Sequence, residues 1–128
     1  MKDLAERGFE FSLAALSLPN KLQIAPEHRF LLNQFLRSAC SIGANITEGR
    51  AGSSRKEMAR YYQISLKSSR ETIYWLKLLR AVSEKRQAEI DELLAEVSEI
   101  TRILTKSILS LKSEIAKESP ALYKTSTN

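Results

Sequence analysis

The residues whose types and spacing could do chemistry are cations. Lys56, Arg60, Lys67 and Arg70 follow one another at steps of four, seven and three, so on an α-helix they line one side. Gln63 fills the gap in that line. Lysine and arginine bring positive charge together with hydrogen-bond donors, the combination that phosphate groups accept. Arg50 and Arg55 flank the start of the same segment, where the free amides and dipole of a helix N-terminus add to the attraction for an anion. The chemistry offered is binding of nucleic acid, RNA or structured DNA, through its backbone. No base-reading element accompanies it, so low sequence specificity and a steep salt dependence are expected.

Bond-making chemistry finds little support. The chain has one histidine, His28, and one cysteine, Cys40, too few for a Cys/His metal site. Cys40 lies among small residues and reads as a packing thiol. The stretch EGRAGSS has neither the spacing of a phosphate-binding loop nor a strand before it. Glu84, Glu89, Asp91, Glu92, Glu96 and Glu99 read as a solvated helix face, because no Glu-x-x-His pair is present to build a carboxylate-bridged metal centre. No catalytic residue, metal or cofactor is expected, and the protein reads as non-enzymatic. A single cysteine fits a reducing cytoplasm, the opening MKDLAERGFEF lacks the apolar run of a signal peptide, and no run approaches the ~20 apolar residues of a membrane span.

The elements that must carry these side chains are helices. The 128 residues suit one domain, and four glycines with three prolines leave few places for turns. A first helix is expected over 3–18 with Asp3 as its cap, stopped by Pro19 and Asn20. A second follows Pro26 over 27–48, with Gly49 and Gly52 at an end that often needs a left-handed residue. Ser54, followed three residues later by Glu57, forms a capping box that opens a third helix reaching Val82. Ser83 is the expected cap of a fourth over 84–117. Its Ile90, Leu93, Leu94, Val97, Ile100, Leu104, Ile108, Leu111 and Ile115 form a single apolar stripe with the spacing of a bundle seam. The predicted fold is all-α, an antiparallel up-down-up-down four-helix bundle over residues 1–118. Pro120 and the polar end YKTSTN predict a flexible tail over 119–128.

Charge is unevenly placed. The formal net charge is +5, and residues 53–83 alone hold seven basic and two acidic side chains, a net +5. Met58, Tyr62, Ser65, Ser69, Ile73, Leu76 and Leu79 face the expected core from the opposite side of this helix. Its end, IYWLKLL, is apolar nearly all round, which turns Tyr74, Trp75 and Leu78 outward as an expected contact with another copy of the chain. The second helix is thin through RSACSIGANITEG: Leu32, Phe35, Ala39, Ile42 and Ile46 make a core stripe on one face, and small residues elsewhere let other backbones come close. Gly43 costs about 1 kcal/mol there relative to alanine, which predicts a bend or a tight contact. Asn45 and Glu48, if buried, need partners, and Arg37 or Arg70 could serve Glu48.

The blocks LRSACSIGANITEG, SSRKE and ISLKSSRETIYWLKLL resemble the four-helix-bundle family of 23S rRNA intervening-sequence proteins, a group to which the accessory variability determinant of diversity-generating retroelements also belongs. Ser41, Ile42, Ala44, Asn45, Ile46 and Glu48 match the first block, and Arg70, Glu71, Thr72, Tyr74, Trp75 and Leu76 the last. Gly43 stands where one branch of the family has proline, so the chain is most similar to the intervening-sequence type. The resemblance covers residues 5–115 and implies a bundle assembled as a ring, with a homopentamer the best guess. It implies a basic surface suited to nucleic acid and, in the retroelement members, contact with a reverse transcriptase. It brings no catalytic residue, and it marks Ser41, Asn45, Glu48 and Glu71 as structural, with Arg70 and Glu71 able to form an ion pair as readily as a phosphate contact. Two readings stand: a nucleic-acid-binding homo-oligomer, or a scaffold that recruits a partner protein.

Overall fold

The computed structural model describes residues 2–118. They form α1 (Leu4–Ser17), a 3₁₀ turn (Pro26–His28), α2 (Phe30–Ala51), α3 (Arg55–Val82) and α4 (Gln87–Glu118). Each helix packs along the next, and α4 returns to α1, so the four helices run up, down, up and down. Contacts fix the register from level to level. Gly8 of α1 meets Gly43 of α2, Ser65 of α3 reaches Ile42 of α2, and α4 meets α3 through Thr101 and Ser69 at its middle and Asp91 and Arg80 at its start. The tail call over 119–128 lies outside the described residues.

The expected core stripes are buried. On α2 these are Leu32, Phe35, Ala39, Ile42 and Ile46, and on α4 every residue of the stripe except the half-buried Leu94. On α3 the inward side is Tyr62, Ser65, Ser69, Leu76 and Leu79, joined by Ala59, Ser68 and Thr72, while Met58 and Ile73 are half-buried. That inward side is rich in hydroxyls, and the thin second helix is shaped to meet them. Thr72 Oγ1 donates to Ser38 Oγ at 2.9 Å, Ser68 Oγ donates to Ser41 Oγ at 2.9 Å, and Ser65 Oγ donates to the Ile42 carbonyl at 2.8 Å. Small side chains let the two helices close to hydroxyl-bonding distance. Each buried hydroxyl then finds an acceptor, as burial demands, and among the described residues no buried side-chain polar atom lacks a partner.

Gly43 explains the other face of α2. A Cβ added there would come within 3.0 Å of the Gly8 carbonyl carbon and oxygen, and one added at Gly8 within 2.9 Å of the Gly43 Cα. Two glycines facing each other let α1 and α2 cross with their backbones in contact.

Helix ends depart from expectation in three places. Pro26 starts a 3₁₀ turn rather than α2, which begins at Phe30. At its other end α2 runs past Glu48 and through Gly49 to Ala51, and Gly52 closes it with φ −65°, so no left-handed glycine is used. Gly49 is glycine for want of space: a Cβ would sit 3.0 Å from the Tyr62 ring. Ser83 ends α3 instead of capping α4. Its amide donates to the Leu79 carbonyl and its hydroxyl to the Lys85 carbonyl. The chain then turns through Arg86 at φ 65°, and the Gln87 side chain donates to the Arg80 and Ser83 carbonyls left open at the end of α3. These bonds delay α4 to Gln87.

Candidate nucleic-acid interface

The third helix starts on the predicted cap. Ser54 Oγ accepts from the Glu57 amide at 3.1 Å, and Glu57 reaches back to the amide and hydroxyl of Ser53, one residue earlier than the usual box. From this anchor α3 runs 28 residues without a break, about 42 Å at 1.5 Å per residue. The side chains that its rigid backbone turns away from the core are Lys56, Arg60, Gln63, Lys67 and Arg70, all exposed.

None of these four cations has a carboxylate within ion-pair distance among the described residues. Six of the other eight arginines have a carboxylate within that distance, and Arg29 and Arg37 do not. Arg7 pairs with Glu96 at 2.7 Å, Arg80 with Asp91 at 2.7 Å, Arg86 with Glu89 at 3.2 Å, and Arg102 with Glu99. The acidic residues of α4 therefore pair with Arg7 of α1, with Arg86 and Arg102 of their own segment and with Arg80 at the end of α3, and leave the outer line of α3 without partners among the described residues. Arg60 stacks over the ring of Tyr61, 4.8 Å from its centroid, a contact that holds a cation without discharging it.

The six expected phosphate contacts thus fall into two groups. Lys56, Arg60, Lys67 and Arg70 stand together and unpaired. Arg50 and Arg55 are matched: Arg50 lies 3.6 Å from Asp3 and donates to the Tyr62 hydroxyl at 3.4 Å, and Arg55 pairs with Glu114 at 2.8 Å and with Glu118. The Tyr62 hydroxyl, ahead of Asp3, raises the Arg50 guanidinium above its already high ordinary value. Reading the local sequence alone missed these partners because Asp3, Glu114 and Glu118 are brought in by other helices.

Three residues join the site that the sequence reading did not assign to it. Lys112 of α4 lines a shallow groove of about 540 Å³ with Lys56, Arg60 and Gln63. Lys77 and Tyr74 continue the α3 line: positions 56, 60, 63, 67, 70, 74 and 77 alternate four- and three-residue steps, and both side chains are exposed. That continuation was visible in the spacing. Lys112 was not, since it depends on which part of α4 lies beside the start of α3.

The expected interface trio divides. Tyr74 is 56% exposed, while Trp75 and Leu78 are half-buried and pack against the core. Trp75 meets Tyr74 edge-on, with centroids 5.2 Å apart, and its indole nitrogen approaches Glu71 at 3.4 Å. Glu71 is thereby turned to the indole, and no pair with Arg70 forms. Of the remaining motif residues, Ser41 and Asn45 bond to each other, Asn45 Nδ2 donating to the Ser41 carbonyl and hydroxyl. Glu48 is exposed and pairs with neither Arg37 nor Arg70.

Comparison with known proteins agrees with the fold. The profile of a family described as 23S rRNA-intervening sequence protein matches residues 3–106. A crystal structure of a protein of unknown function from the S23 ribosomal protein family of Bacteroides thetaiotaomicron is similar at 28% identity, with a TM-score of 0.71. The similarity covers 83% of this chain and 98% of that one. No curated protein matches the chain.

Proposed function

The chain belongs to the 23S rRNA-intervening sequence protein family, and from that premise we propose that it is a non-enzymatic, homo-oligomeric nucleic-acid-binding protein whose contact surface is the outer line of α3. The observation that carries the reading is the alignment of Lys56, Arg60, Lys67 and Arg70 on one exposed side of α3 with no ion-pair partner among the described residues, while six of the other eight arginines have one. Neutralising those four on the protein would have needed only acidic residues on their own helix, which supplies two, Glu57 and Glu71, both turned to other groups. Cations left in water along one rod attract polyanions and release counterions when they bind. Copies assembled as a ring, the pentamer that the family resemblance implies, would multiply a weak site by avidity.

Fluorescence anisotropy of a labelled RNA tests the reading. Reversal of Lys56, Arg60 and Lys67 to glutamate is expected to weaken binding by at least tenfold at low salt. Undiminished binding overturns it. A second reading, a scaffold that recruits a partner protein such as a reverse transcriptase, draws on α1, where Phe9, Leu13 and Leu16 are each more than half exposed at steps that share a helix face. Partners of the native protein that survive nuclease treatment favour that reading.

A further inference from the structure

We propose that the α3 line takes a single-stranded nucleic acid rather than a duplex, with Tyr74 as the platform on which a base stacks. The inference rests on the nucleic-acid reading above and narrows it. Tyr74 falls in register between Arg70 and Lys77, on the outermost line of the helix. The residue is 56% exposed, its hydroxyl makes no hydrogen bond among the described residues, and its ring meets that of Trp75 in a T-shaped contact, centroids 5.2 Å apart and planes at 71°. The phenol stands beside the cations and outside the core.

The company it keeps selects the ligand. A duplex hides its base faces in the stack, so an aromatic ring set among phosphate-binding cations has nothing to receive. An unpaired strand offers both components at once, phosphates to the cations and π-faces to the ring. The line fits in length as well. From Lys56 to Lys77 it spans about 32 Å at 1.5 Å per residue, with cations on both sides of the ring, so a strand of several nucleotides can lie along it. The deep, narrow major groove of double-stranded RNA cannot accept such a rod.

The test measures binding of a roughly 20-nucleotide oligouridine, the matching oligothymidine, and duplexes of equal length at one salt concentration. The native chain is compared with Tyr74→Ala and Tyr74→Phe. Single strands of both sugars are expected to bind about tenfold tighter than duplexes. Tyr74→Ala should lose about tenfold on the single strands and little on the duplexes, and Tyr74→Phe should stay within about twofold of native. Trp75, the chain's one tryptophan, gives an independent readout, since a base on the neighbouring ring should change its emission in native protein and not in Tyr74→Ala. Equal binding of duplex and single strand, with Tyr74→Ala unchanged, overturns this inference and leaves the nucleic-acid reading intact. Absence of binding to any of these probes overturns both. A fall in particle mass for Tyr74→Ala would assign the ring to a contact between copies and would likewise overturn it.

Discussion

Two glycines and a row of hydroxyls hold the bundle's geometry at the scale of single residues. Gly43→Ala should gain about 1 kcal/mol of helix propensity yet lose more, because the neighbours in its way are Gly8 backbone atoms at 3.0 Å and cannot swing aside. Overpacking of this kind costs about 1–3 kcal/mol, so chemical denaturation should show a net loss of stability, and a gain would contradict the crossing described. Thr72→Val keeps the shape of a fully buried side chain but removes the hydroxyl that joins Ser38 to the Ser68 carbonyl. The expected loss is about 1 kcal/mol, read as a lower denaturation midpoint with an unchanged slope. The type of residue was legible here, since small residues on a helix announce close approach. Which atoms approach was not, because Gly8 lies 35 positions before Gly43 in the chain.

Helix periodicity exposed most of each element, and capping decided the rest. The stripe on α4 and the start of α3 were readable because apolar spacing and the Ser54 cap are local signals. Ser54→Ala should cost about 1 kcal/mol, measurable by thermal melting, while leaving the cations downstream in place. The start of α4 escaped because serine caps and serine ends look alike in one dimension. Only the Gln87 side chain, folding back onto the last carbonyls of α3, tells the two apart. The site was half legible for the same reason. A line of cations can be drawn from spacing alone, but whether each is free depends on acidic residues delivered by other helices. Asp3 and Glu114 answer Arg50 and Arg55, whereas among the described residues no carboxylate pairs with Lys56, Arg60, Lys67 or Arg70.

At the scale of the whole molecule, the proposed assembly of copies would bring several uncompensated α3 lines into one particle. Among the described residues no helix is long and apolar enough to cross a membrane, yet Phe9, Leu13 and Leu16 leave an apolar face on α1, for which a second copy of the chain competes with the partner protein of the scaffold reading. Light scattering of the native chain should give a mass several times that of one protomer, 14.5 kDa, and Leu13→Glu should lower it. The decisive measurement is the salt slope of nucleic-acid binding, compared between native protein and a variant with Lys56, Arg60 and Lys67 changed to alanine. Each phosphate contact on a single strand contributes about 0.7 to the slope of log K against log salt. The account predicts a slope shallower by about two in the variant, with helix content unchanged. An identical slope in the two proteins would show that the phosphates lie elsewhere and would contradict it.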